Sequence, residues 1–114
     1  MDIYHIWCDL KPGVMDTDFV DATTTYLEEL RRAGCVASFR ITRRKLGLGG
    51  PTDFHVMLEF DSLDQLDKAF AGVASRSGPV EGLHHAVNSK VSNVSFALYR
   101  DFPDKFRERG HEKF

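Results

Sequence analysis

His5, His55, Glu59 and Tyr99 are the residues of this 114-residue chain whose types and spacing suit proton chemistry. His5 belongs to the alternating set Ile3, His5, Trp7, Asp9, and His55 to the set His55, Met57, Glu59. Each set is the less apolar side of a strand-like stretch, Ile3 to Leu10 and Phe54 to Phe60. An imidazole beside a carboxylate has its tautomer fixed and its basicity raised, which makes it a general base near neutral pH. Either histidine then takes a proton from a carbon next to a carbonyl, while Tyr99, Arg40 or the other histidine holds the oxyanion. Trp7, Arg40 and Met57 complete a candidate binding surface for an apolar or aromatic carbonyl compound. The same residues admit a structural reading, in which a buried histidine and a carboxylate satisfy each other across a dimer core and specify its register.

The elements that must position these side chains follow from periodicity. Tyr4, Ile6, Cys8 and Leu10 alternate with the histidine-bearing set, so the first stretch is a strand with two distinct faces. Pro12-Gly13 ends it, and Asp16, Thr17 and Asp18 offer N-cap oxygens to a helix whose apolar face is Phe19, Val20, Tyr26, Leu27 and Leu30. Arg31 and Arg32 suit its last turn, and Gly34 its stop. A second strand runs from about Val36 to Arg43, with Phe39 and Ile41 on one face and Ser38, Arg40 and Thr42 on the other. The loop from Lys45 to Pro51 turns it into the third strand. Ser62-Leu63-Asp64-Gln65 has the form of a capping box ahead of a helix carrying Leu63, Leu66, Phe70, Val73 and Ala74, which stops at Ser77-Gly78-Pro79. Val80, Leu83, Val87 and Val91 predict a further short helix, weakened by Gly82, before a last strand from Val94 to Tyr99.

Strand, helix, strand, strand, helix, strand is the split βαβ order of a ferredoxin-like α+β fold, with an antiparallel sheet ordered 4-1-3-2 and its helices on one face. The other face carries Trp7, Met57, Ala97 and Tyr99, too much apolar and aromatic surface to leave in water, so a second copy is the expected cover. With Trp7 opposite Met57, His5 falls near Glu59 and Asp9 near His55, giving two His-carboxylate pairs. Ser38 is brought toward Glu59, Thr42 toward His55 and Tyr99 toward His5. Residues 1–100 form one domain on this reading, and 101–114 a charged tail that Phe102 and Phe106 partly pin down.

Composition removes several functions. The 42% hydrophobic content and nine Phe suffice for a core, and a net charge of −2 offers no general attraction to nucleic acid or an anionic membrane. Two distant cysteines, Cys8 and Cys35, form neither a disulfide scaffold nor a thiolate metal site, and the absence of a leader or a long apolar run predicts a cytoplasmic protein. His55 and Glu59 lie about 13 Å apart along one strand, too far for a single ion, and His5 with Glu59 lacks a third ligand. Haem has one histidine and no further motif, so no cofactor is expected. Arg43-Arg44-Lys45 with Gly47, Gly49 and Gly50 lacks phosphate-loop spacing and is a solvated hairpin or a substrate-gating lid. The third strand also lacks the aromatics with which RNA-binding sheets of this order stack bases.

His5-Ile6-Trp7-Cys8-Asp9-Leu10-Lys11-Pro12-Gly13-Val14 resembles the opening of stress-responsive A/B barrel domains, and residues 53–62, Asp53-Phe54-His55 through Asp61-Ser62, resemble that family's third strand. The resemblance covers about residues 3–99 and implies a homodimer whose two sheets pack face to face as a dimeric α+β barrel. That superfamily includes polyketide cyclases, isomerases, cofactor-free monooxygenases, haem-handling enzymes and members without known activity, so fold alone does not choose a reaction. Where the polyketide-cyclising relatives carry a tyrosine and a histidine-rich turn, this chain has Phe70 and then Ser75-Arg76-Ser77-Gly78-Pro79, and those roles do not transfer. His84 and His85 come slightly later, about 100° apart on a helix, so at most one faces a pocket between helices and sheet. Cofactor-free proton transfer or cyclisation on a bound carbonyl compound is the enzymatic expectation. A non-catalytic stress-associated or ligand-binding homodimer is the alternative.

Overall fold

In the computed structural model, residues 1–74, 78–104 and 109–110 are described. The expected turn residues Ser75 to Ser77 and the tail residue Phe106 lie outside them, as do the side chains of Val73, Ala74 and Val80. The chain runs β1 (Asp2–Leu10), α1 (Asp16–Arg32), β2 (Ser38–Arg43), β3 (Phe54–Phe60), α2 (Leu63–Ala74), α3 (Gly78–Asn88) and β4 (Val91–Arg100). The four strands form one antiparallel sheet ordered β2-β3-β1-β4, the same order that the split βαβ pattern predicts.

Alternation sorts the sheet into two faces. Cys8, Phe54, Val56, Leu58 and Phe60 are buried toward the helices, with Tyr4, Ile6, Leu10, Phe39 and Ile41 packed beside them. From α1, Phe19, Thr23, Leu27 and Leu30 meet them at spacings of four, four and three residues, the stripe that 3.6 residues per turn places on one side. The opposite face of the sheet carries Ile3, His5, Trp7, Asp9, His55, Met57 and Glu59, all only partly covered.

Helix ends explain how these layers are joined. α1 closes as the sequence predicts: the N–H of Gly34, at φ 77°, donates to Arg31 O and that of Cys35 to Leu30 O, a paired motif that satisfies two terminal carbonyls. Its start differs from the expected side-chain cap. Met15 occupies the capping position and has no oxygen to offer, while the Asp16 carboxylate accepts from Arg43 Nη1 at 2.9 Å and ties α1 to β2. At α2 the Ser62 hydroxyl accepts from the Gln65 N–H at 3.2 Å, and Gln65 Oε1 accepts from the Asp61 N–H at 2.7 Å, one residue upstream of a standard capping box. Gln65 Nε2 also donates to Gly34 O, linking the start of α2 to the end of α1.

β4 begins at Val91, three residues before the expected start. Trp7 pairs with Ser95 but Asp9 with Ser92, so β4 holds an extra residue at a bulge. Asn93 sits there at φ 52°, a region asparagine tolerates better than most residues, and its Nδ2 donates to Asp9 Oδ2 at 3.0 Å. The bulge leaves Ser95, Ala97 and Tyr99 in step with Trp7, His5 and Ile3 on the open face.

Candidate functional site

On the open face, the register differs by two residues from the expected one. Trp7 pairs with His55, His5 with Met57, and Ile3 with Glu59. A two-residue slide leaves every side chain on its own face, so the hydrophobic pattern does not resist it. The consequence is chemical: the two expected His-carboxylate pairs do not form. His5 Nδ1 lies 2.8 Å from His55 Nε2, so the two imidazoles are hydrogen-bonded to each other. Glu59 instead accepts from Ser38 Oγ at 2.7 Å, and Asp9 accepts from the Asp53 N–H at 2.8 Å and from Asn93. The pairings of Ser38 with Glu59 and of Thr42 with His55 are as expected from the hairpin.

Around the imidazoles stands an aromatic ladder. Trp7 stacks on His55 at 4.6 Å and 9°, the two histidine rings lie 5.0 Å apart at 19°, and Tyr99 meets His5 edge-on at 4.9 Å. Tyr99 thus reaches His5 as anticipated, although its backbone partner is Ile3. Arg40 pairs with Met57 and is exposed, and neither it nor Glu59 is hydrogen-bonded to a histidine among the described contacts. Burial, and then the neighbouring His5, hold the His55 imidazole below the ordinary histidine range. The residues chosen from sequence therefore share one face, but they are arranged as a packed ring cluster.

A second locus lies on the other side of the sheet. A cavity of about 310 Å³ is lined by Tyr4, Ile6, Tyr26, Leu27, Leu30, Leu58, Phe60, Ala69, Phe70, His84 and Phe96. A smaller lobe of about 100 Å³ shares Ile6, Tyr26, Leu27, His84 and Phe96 and extends to Cys8, Thr23 and Val91. His84 is the one of the adjacent pair that faces inward, its ring meeting Tyr26 at 5.5 Å and 69°, while His85 is exposed. Tyr4, Tyr26 and His84 are the polar-tipped side chains on the larger lobe, and no carboxylate lines it among the described residues. Burial raises the Tyr4 phenol above its ordinary value and pushes the Cys8 thiol up to about 11, with nearby Asp9 adding to the latter. Helical periodicity places Tyr26 on the apolar stripe of α1. Only the packing of α3 across α1 shows that it meets a histidine.

No group of three or more metal-ligating side chains occurs among the described residues. No helix among them is long and apolar enough to cross a membrane.

Fold and site together define a ferredoxin-like α+β protein with one uncovered sheet face and an apolar cavity beneath its helices. The chain belongs to a family of unknown function, DUF6614, whose family model spans residues 1–114. No functionally curated protein matches it. Among solved structures it is similar to the Arabidopsis thaliana protein At3g17210, with TM-score 0.70 and 12% identity over 89% of this chain and 95% of that one. It is also similar to a mutant of SnoaB, a cofactor-independent oxygenase from Streptomyces nogalater, with TM-score 0.67 and 8% identity over 93% of this chain and 98% of that one. A dimeric ferredoxin-like protein of unknown function from Thermobifida fusca matches with TM-score 0.58 and 19% identity over 87% of this chain and 90% of that one. Likeness at these identities establishes the fold, and the fold hosts more than one activity.

Proposed function

We propose that the protein is a homodimer joined through the open sheet face, and that each protomer binds a small apolar or aromatic carbonyl compound in the cavity between sheet and helices. The observation that carries the second part is the cavity itself: about 310 Å³ of mostly apolar wall with a histidine and a tyrosine in contact at its edge. Homodimer formation is supported by the uncovered aromatic face, by the dimeric T. fusca protein of the same fold, and by the resemblance of residues 5–14 and 53–62 to stress-responsive A/B barrel domains. On this reading the pair His5 and His55, with Trp7 and Tyr99, belongs to the interface, because each imidazole is engaged by the other and not by a carboxylate. Met57 and Arg40 lie on the same face and line the contact between copies.

In the cavity, His84 acts as the base. Its imidazole takes a proton from the carbon beside the ligand carbonyl, the electron pair of that C–H bond moves into an enolate, and the Tyr26 hydroxyl donates to the enolate oxygen. Return of the proton to carbon completes an exchange without a cofactor. The test is uptake of deuterium at the methyl group of 2-acetylnaphthalene in heavy water, followed by NMR. Wild-type protein should bind the ketone and accelerate exchange, and His84→Gln should lose about 10²-fold or more of that acceleration. Binding without accelerated exchange would favour the second reading, a ligand carrier without turnover, which the mostly apolar lining supports. Absence of binding would remove the cavity from consideration.

A further inference from the structure

We propose that the His5–His55 pair makes the face-to-face homodimer come apart in acid, one proton being excluded from each pair while the faces are joined. The proposal rests on the homodimer reading above and adds its regulation.

The geometry is a single N···N contact of 2.8 Å between the two imidazoles. A hydrogen bond between ring nitrogens needs one donor and one acceptor, so the pair is satisfied when neutral or singly protonated. With both rings charged, two N–H groups and two positive charges face each other across that distance. In a free protomer the face is wet, so a doubly charged pair is free to move apart from its 2.8 Å contact and water solvates the second charge. A partner laid over the face closes the remaining side of rings already flanked by Trp7 and Tyr99, so they have no room to separate and the second proton has no solvent to share its charge.

Neighbouring charges do not relieve this. From β1, Asp9 is taken up by the Asp53 N–H and Asn93, and from β3, Glu59 holds the Ser38 hydroxyl. From β2, Arg40 adds positive charge to the same face, and β4 contributes the Tyr99 ring. The helices pack on the other face of the sheet. Among the described residues neither imidazole is in an ion pair with a carboxylate. Burial and the neighbouring His5 already hold the His55 imidazole below the ordinary histidine value within one protomer, and covering the face acts in the same direction by removing the remaining water. Association is therefore fully present where the free protomer does not bind the second proton, and it weakens as pH falls through the range where the free protomer binds that proton and the dimer does not.

The test is sedimentation equilibrium of the full chain from about pH 8 to about pH 5 at constant ionic strength, on wild type, His5→Gln and His55→Gln. Two pairs per dimer, each excluding one proton that the free protomer binds, set a limit of about 100-fold weaker association per pH unit, reached only where the free protomers bind their second protons fully. Wild type should weaken toward that limit as pH falls, and each glutamine variant, in which the imidazole pair no longer exists, should lose most of the dependence. A monomer at about pH 8 would overturn the homodimer reading together with this proposal. A wild-type dimer whose affinity does not change with pH would overturn the proposal and leave the homodimer standing. Should a variant fail to associate at any pH, NMR titration of the wild-type imidazole protons decides instead. Uptake of the second proton must coincide with dissociation, and uptake within an intact dimer would refute the mechanism.

Discussion

Replacing Phe60 with alanine tests the claim that the helix-side cavity is a built space with a packed floor. Phe60 is 0% exposed and closes the end of β3 under α2, with one side toward the cavity of about 310 Å³. A fully packed phenylalanine truncated to alanine costs about 3–5 kcal/mol. The neighbouring cavity gives the surrounding side chains room to relax into the void, so the low end, about 3 kcal/mol, is expected. A domain of this length has about 6–17 kcal/mol of stability, so the variant should fold, with a melting temperature lower by about 12 °C. Urea unfolding followed by far-UV circular dichroism measures the first quantity and a thermal scan the second. The void left by the ring merges with the existing cavity, so 2-acetylnaphthalene at about 100 times its Kd should return about 2.7 kcal/mol. Phe70→Ala is the control on the same residue type: its side chain is 43% exposed, and it should lose about 1 kcal/mol. A loss below about 1 kcal/mol in Phe60→Ala, or equal losses in the two variants, would refute the packing that defines the cavity.

Two further outcomes probe the elements that frame the two faces. Asn93→Val forces a β-branched residue into the left-handed backbone of the β4 bulge and removes the hydrogen bond to Asp9, so urea unfolding should show a loss of about 1–2 kcal/mol, most of the backbone part of which Asn93→Gly should restore. At mildly alkaline pH the buried Cys8, with its thiol pushed up to about 11, should resist alkylation by iodoacetamide while the partly exposed Cys35 reacts; mass spectrometry should find a second adduct only after denaturation. Equal labelling of both thiols in native protein would contradict the burial of β1 against the helices.

Element order, strand order and the sorting of each strand into two faces were legible in the amino-acid sequence, because they rest on local periodicity. Tyr4, Ile6 and Cys8 had to face one way and His5 and Trp7 the other whatever their partners were. The early start of β4 was not legible, since Asn93 reads as a turn residue and becomes part of a strand only as a bulge held by Asp9. Nor was the loss of a side-chain cap on α1: Asp16 has the right chemistry, but Arg43, 27 residues away in sequence, takes its carboxylate.

The two candidate sites divide along the same line. Sequence alone determined that His5, His55, Glu59, Tyr99, Trp7, Arg40 and Met57 share one face, and that no more than one of His84 and His85 points inward. Tertiary structure decided the partners. A side-chain period of two is blind to a register slide of two, and that slide replaces both carboxylates beside the histidines with an imidazole pair. Likewise, the 3.6-residue period puts Tyr26 on the inner side of α1 but says nothing of what crosses over it. The packing of α3 supplies His84 there, and a long-range contact of that kind is set by the fit of whole surfaces, which no local pattern encodes.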